Sequence, residues 1–278
     1  MADQAVTATG SAQAQADLWG ERARDWADVM EGSNAWGLPV YEHVLGRVAL
    51  AEGTRVLDVG CGSGRFSRMA ADRGARIAGL DATPAFVEIA RERVPDGDFR
   101  VGEMEELPWA DDSFDLVTGF NSFFIAADMV NALREAGRVA RPSAPVAMSV
   151  FGRPERCDST TVFGAMGDLF PPKPTEDPDR DDERGKNRPL HEEGALEALA
   201  QKAGLTPGEA GYLEFAEEYP NLETLLRGMM AAPPWRRAAR AVGEEAVREA
   251  MTARLVPFED SAGRYRLEEE VRYLIATA

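Results

Sequence analysis

Short apolar runs alternate along this chain with longer segments of helical spacing. That alternation predicts a parallel sheet whose strands are joined by crossover helices. The runs are R-V-L-D-V at 55–59, R-I-A-G-L at 76–80, D-F-R-V at 98–101, F-D-L-V-T-G-F-N at 114–121 and a fifth within R-V-A-R-P-S-A-P-V-A-M-S-V-F-G at 138–152, which also supplies the turn before it. They are continuous rather than strictly alternating, as expected of strands covered on both faces. Between them lie predicted helices at 65–73, stopped by Gly74, at 84–93, opened by Thr83 as N-cap with Pro84 behind it, and at 128–139, with Leu133, Ala136 and Val139 on one face.

The flanks follow other patterns. Leu18, Trp19, Trp26, Val29 and Met30 mark an amphipathic helix within 17–30, and another helix begins at Val40, behind Pro39. After the fifth run the chain turns proline-rich and polar. It then gives a helix at 192–203, a sixth strand at 205–215, an apolar helix with Leu222, Leu225, Leu226, Met229 and Met230, a further helix at 236–255, and a final strand at 263–276. The expected organisation is a flexible tail (1–16), N-terminal helices (17–50), a cofactor-binding core (51–152), a lid or loop (153–190), a continuation of the core (191–220), a helical cap (221–258) and a last core strand (259–278).

Candidate chemistry enters at the end of the first run, where D-V-G-C-G-S-G places Gly60, Gly62 and Gly64 directly after a strand. A glycine turn between strand and helix lets backbone approach a ligand closely. Dinucleotide enzymes use G-x-G-x-x-G, but the spacing here is G-x-G-x-G and Arg65 stands where the third glycine would be needed, which argues against NAD. Asp81, at the tip of the second strand, is placed to accept from both hydroxyls of a ribose, a role that serves NAD and S-adenosylmethionine (SAM) alike.

The D-V-G-C-G-S-G motif resembles the first motif of class I SAM-dependent methyltransferases, and the order of the later segments is similar to that family's small-molecule branch, the ubiquinone-biosynthesis and natural-product type. The resemblance implies an α/β fold: a Rossmann-like, seven-stranded, mostly parallel sheet with helices on both faces, the last strand antiparallel, and a helical cap from the N-terminal and late insertions. It implies SAM as cofactor, S-adenosylhomocysteine (SAH) as its product, and cofactor contacts from Asp58, Gly60, Cys61, Gly62, Gly64, Asp81, Ala82, Glu103, Met104, Phe120 and Asn121. Glu103 departs from the commoner Asp at its position. Ser143 and Ala144 replace the glycines usual before the fifth strand, so that turn must differ or carry strain.

Methyl transfer needs alignment and exclusion of water more than a fixed catalytic signature. The acceptor pocket is expected to draw on Trp26, Trp36, Tyr41, Phe124, Phe163, Met229 and Met230, each of which also fits ordinary packing. His191 is the candidate base, because it follows the lid and precedes a helix on the ligand side; a surface position near a helix cap is the competing reading.

Composition narrows the partners. With a net charge of −17 the chain lacks the basic surface that nucleic acid requires, and no N/D-P-P-Y-like motif follows the fourth strand. No stretch reaches membrane-spanning length, and Cys61 and Cys157 supply neither a disulfide framework nor a metal cluster. The expectation is a cytoplasmic monomer or homodimer acting on a small molecule at O, N or C, without metal. A SAM-binding protein of the same fold that promotes cyclisation or rearrangement without methylating is the alternative.

Overall fold

A computed structural model describes residues 12–33, 37–170 and 189–278. Seven strands form one sheet: β1 (Arg55–Val59), β2 (Arg76–Asp81), β3 (Asp98–Val101), β4 (Leu116–Phe120), β5 (Pro145–Phe151), β6 (Thr206–Tyr219) and β7 (Tyr265–Thr277). Their order is β3-β2-β1-β4-β5-β7-β6. The first five run parallel, with Val56 opposite Ile77 on one side and Leu116 on the other. β7 lies antiparallel between β5 and β6.

The apolar runs explain why both faces are covered. Along β1, Leu57 and Val59 point to one face and pack with Leu133, Ala136 and Val139 of helix Met129–Val139 and with Leu196 and Ala200 of helix Ala195–Lys202. Val56 points to the other face and joins Phe66, Ala70, Val87 and Ala90 from helices Arg65–Ala71 and Pro84–Arg93. Asp58 shares the face of Val56. The run therefore places one acid inside an otherwise apolar layer.

β6 is longer than the sequence pattern suggests, because its end, with Tyr219 opposite Tyr265 of β7, runs beyond the parallel sheet into a second core. There Tyr219, Tyr265 and Leu267 meet Leu225, Leu226, Met229, Met230, Trp235, Val247 and Met251 from helices Leu222–Met229, Pro233–Val242 and Glu244–Leu255. The helix expected at 236–255 is two helices, separated at Gly243, whose φ of +91° no helix accommodates.

The N-terminal segment bridges the two cores. Helix Ala12–Gly20 begins inside the stretch expected to be a tail, and its first backbone N–H donates to Glu103 Oε2 at 3.3 Å. A short helix, Ala23–Asp25, continues as a π-helical stretch, Trp26–Ser33, whose Val29 and Met30 are buried in the cap core. Glu21 pairs with Arg236 and Arg240, and Arg22 with Glu244, so the same segment is tied to the cap from outside. Helix Leu38–Arg47 packs Val40 and Val44 onto the sheet. His43 is a packing residue, bonded to Glu209 at 2.9 Å and set against the Tyr273 ring.

The turn before β5 carries strain. Ser143 has φ +67°, a left-handed conformation that costs a residue with a Cβ, and its N–H donates to the Ala278 carbonyl. Among the described residues no helix is long and apolar enough to cross a membrane, and no cluster of His, Cys, Asp and Glu is arranged to hold a metal ion.

Candidate active site

All three glycines of the turn after β1 have positive φ: +70° at Gly60, +52° at Gly62 and +82° at Gly64. Each also faces a neighbour that a Cβ would strike. At Gly60 it would lie 2.4 Å from Ser122 Cβ, at Gly62 2.6 Å from a Glu31 carboxylate oxygen, and at Gly64 3.0 Å from Ala90 Cα. The turn is thus bare for the protein's own packing as well as for a ligand. Gly60 and Cys61 donate to the Leu80 carbonyl, at 2.7 and 3.0 Å, and Gly62 donates to Asp81 Oδ2 at 2.9 Å, which locks the turn to the tip of β2.

Carboxylates gather around this turn. Asp58 accepts from Thr118 Oγ1 at 2.9 Å and Ser67 Oγ at 3.0 Å, yet burial raises its pKa to about 7, with the charges of Glu31 and Asp81 adding to the rise. Burial likewise raises Asp81 to about 6 against the bonds from Thr83 N and Gly62 N. Glu103 is also pushed upward, chiefly by burial, while it accepts from Met104 N and Ala12 N. Glu31 is the least anticipated member. Its Oε1 accepts from Trp26 Nε1 at 2.9 Å, its Oε2 from Ser63 Oγ and from Arg93 Nη1, and its side chain covers Gly62.

These groups open into a cavity of about 570 Å³ that runs from the glycine turn to the cap. Of the expected cofactor residues, Asp58, Gly60, Cys61, Gly62, Asp81, Ala82, Glu103, Met104, Phe120 and Asn121 line it. Gly64 does not. It caps helix Arg65–Ala71 and lets that helix pack against Ala90. Asn121 ends β4 with φ +50°, and its buried Oδ1 has no hydrogen-bond partner among the described residues.

Of the expected acceptor residues, Trp26, Tyr41, Phe124, Phe163 and Met229 line the cavity, as does His191. Met230 lies instead in the cap core, 2 % exposed, and Trp36 falls outside the described residues. Tyr41 packs edge-on against Phe120 at 4.8 Å, which holds both rings over the end of β4. Residues that sequence reasoning did not assign to the site also line it: Trp19, Met30, Glu31, Phe86, Ser159, Glu217 and Trp235. Trp19 and Trp26, both from the helical pattern near the N-terminus, meet edge to face at 4.7 Å and close the cavity beside Phe86. Their spacing showed an apolar face; only the fold shows that it faces a cavity.

The fold is one shared with known methyltransferase structures, and part of the chain matches a methyltransferase family. Residues 57–148, from within β1 to within β5, match the methyltransferase domain family. Among curated proteins the chain is similar to malonyl-[acyl-carrier protein] O-methyltransferase of Serratia marcescens, 36% identical over 112 residues, covering 40% of this chain and 43% of that one. It is similar also to 27-O-demethylrifamycin SV methyltransferase of Amycolatopsis mediterranei, 31% identical over 143 residues, covering 48% and 53%. The match thus spans about half the length of these relatives. A structure of Haemonchus contortus phosphoethanolamine N-methyltransferase 2 in complex with S-adenosyl-L-methionine shares the fold at a TM-score of 0.57 and 16% identity, covering 99% of this chain and 61% of that one.

Proposed function

We propose that this protein is a SAM-dependent methyltransferase that moves a methyl group onto O, N or C of a small, partly apolar metabolite. The observation that carries the reading is the single cavity joining the glycine turn and Asp81 to an aromatic, methionine-containing cap. Such a shape holds a cofactor and a second molecule together and keeps water out.

The residues present suit SAM. Asp81 and Glu103 each spend only part of their acceptor capacity on backbone N–H groups and keep lone pairs for ribose hydroxyls and the adenine amino group. Gly60, Gly62 and Asn121 offer backbone and amide groups where the methionine portion would lie. The bound cofactor supplies an electrophilic methyl on a cationic sulfonium, which the ring of raised carboxylates favours. His191 is proposed as the base for an acceptor that must lose a proton. It lines the cavity, and its carbonyl accepts from Tyr212 Oη at 2.8 Å, which ties down its backbone. Similarity to proteins named for small-molecule methylation supports a role in secondary metabolism, and the acidic chain with two free, buried cysteines supports a cytoplasmic setting.

The test is incubation with SAM and fractionated small-molecule extracts, following SAH formation together with a one-methyl mass gain in a compound. Matched SAH formation and mass gain are expected. SAM binding without SAH release would replace methyl transfer by a reaction in which the cofactor is not consumed.

A further inference from the structure

We infer that the molecule to be methylated offers a hydroxyl or N–H to Ser159, and that Glu269 holds the Ser159 hydroxyl as the hydrogen-bond acceptor for it. The inference rests on the methyltransferase reading and adds to it the chemical class of the methylated molecule.

Ser159 lines the cavity on the segment that leads from β5 into the cap, just before Phe163. Phe163 stacks on Trp235 of the cap core with 5.2 Å between ring centres, which places Ser159 with the cap rather than with the glycine turn. Behind it stands Glu269, 2 % exposed and outside the cavity wall. On β7 Glu269 shares a face with Leu267, of the cap core, and Val271, of the sheet core, so a carboxyl group occupies the junction of two apolar layers. Both of its oxygens are given to one residue: Oε1 accepts from Ser159 N at 2.8 Å and Oε2 from Ser159 Oγ at 2.9 Å. Burial raises its pKa to about 7 against those bonds and one with the Cys157 thiol, and the charge of Asp158 adds to the rise.

An ionised carboxylate can only accept, so the one proton of the Ser159 hydroxyl is spent on Glu269. What Oγ offers the cavity is lone pairs. The carboxylate behind the hydroxyl also polarises it, which strengthens it as an acceptor. Phe163, Met229 and Trp235 supply apolar wall on the same side, where lone pairs left unmet are costly. A ligand hydroxyl or N–H meets them; an ether or a methylated nitrogen in the same place does not. A site of this kind rejects the ligand without the donor more strongly than an apolar wall can. Glutamine at 269 would still accept from Ser159 N, but its amide would donate to Oγ and free the hydroxyl proton to point into the cavity.

The experiment uses the full chain loaded with SAH at about pH 8.5, where Glu269 is ionised and the Cys157 thiol, raised to about 11, is not. Calorimetric titration compares each donor with its methylated partner: phenol with anisole, 2-phenylethanol with its methyl ether, and indole with 1-methylindole. In each pair that binds, the donor is expected to bind at least about tenfold more tightly. Ser159→Ala should abolish the preference, Ser159→Thr should keep it, and Glu269→Gln should narrow it by letting the methylated partners bind more tightly. All three variants should bind SAH within about twofold of wild type. Methylated partners binding as well as their donors, no binding by any donor, or an undiminished preference in Ser159→Ala or Glu269→Gln would overturn the inference. A variant that does not bind SAH is set aside, and the wild-type pairs decide with the remaining variants. Failure of the wild type to bind SAH would instead sink the methyltransferase reading.

Discussion

The two sides of the cavity are built under different constraints. On the side of β1, β2 and β4 the wall is a bare glycine turn edged by carboxylates. Positive φ values, carbonyl bonds to Leu80 and contacts shorter than a Cβ allows leave little choice of residue at 60 and 62. On the cap side the wall is made of side chains from separate parts of the chain: Met30, Phe163, Glu217, Met229 and Trp235. Many apolar sets would fill that volume, so in the proposed function this is the side that specifies an acceptor. On that reading cofactor specificity lies in main-chain geometry with a few carboxylates, and acceptor specificity in tertiary placement.

Substitutions on each side should therefore separate. Trp235 is 1 % exposed in the cap core, and Trp235→Ala is expected to cost about 3–5 kcal/mol of stability. Calorimetry well below its melting temperature should still show SAM affinity close to wild type; a collapse of SAM binding in folded protein would erase the distinction. Gly60→Ala should do the reverse. It forces a Cβ onto Ser122 in a left-handed turn, at about 2–4 kcal/mol, and should lose measurable SAM binding even where circular dichroism shows the fold intact.

A smaller effect follows from the raised carboxyls. Asp81 at about 6 and Asp58 at about 7 lie above the ordinary aspartate range, so the folded chain holds protons there that an unfolded chain has already released. Stability contributed by these two groups is present below the unfolded-state value and is lost as pH rises through about 6 to 7. Cationic SAM favours the ionised forms, so its affinity should increase across that same interval and then level off. Calorimetry at a series of pH values checks this, and affinity that falls with rising pH would contradict it. Smallest of all, Ser143→Gly should relieve the left-handed turn before β5 and raise stability by up to about 1 kcal/mol in a urea melt, with SAM affinity unchanged.

The same contrast explains what the sequence disclosed. Strand runs, the glycine turn and Asp81 are local signals, each read from a few consecutive residues; the runs are strands of the sheet, and the turn and Asp81 stand at the ends of β1 and β2. The strained Ser143 was legible for the same reason, since a left-handed turn normally demands glycine. Gly64 shows the limit of that reasoning: it has the expected conformation but spends it on helix packing against Ala90, not on the cavity. Glu31 was invisible because its partner Ser63 lies 32 positions away, and no local pattern links an acid in an N-terminal helix to a glycine turn. Glu217 was hidden in a stretch of acids, E-E-Y, where alternation along a strand predicts only that one of two neighbours faces inward. Met229 and Met230 shared one apolar pattern, and only the helix's setting sends the first to the cavity and the second to the core.

The central claim is that SAM occupies the end of the cavity bounded by the glycine turn and Asp81. Its most direct test is parallel calorimetric titration of the wild-type chain and Asp81→Asn with SAM, SAH and NADH. The account predicts that the wild type binds SAM and SAH but not NADH, and that Asp81→Asn weakens both SAM and SAH by about tenfold or more. NADH binding in place of SAM, or SAM affinity indifferent to Asp81, would contradict it.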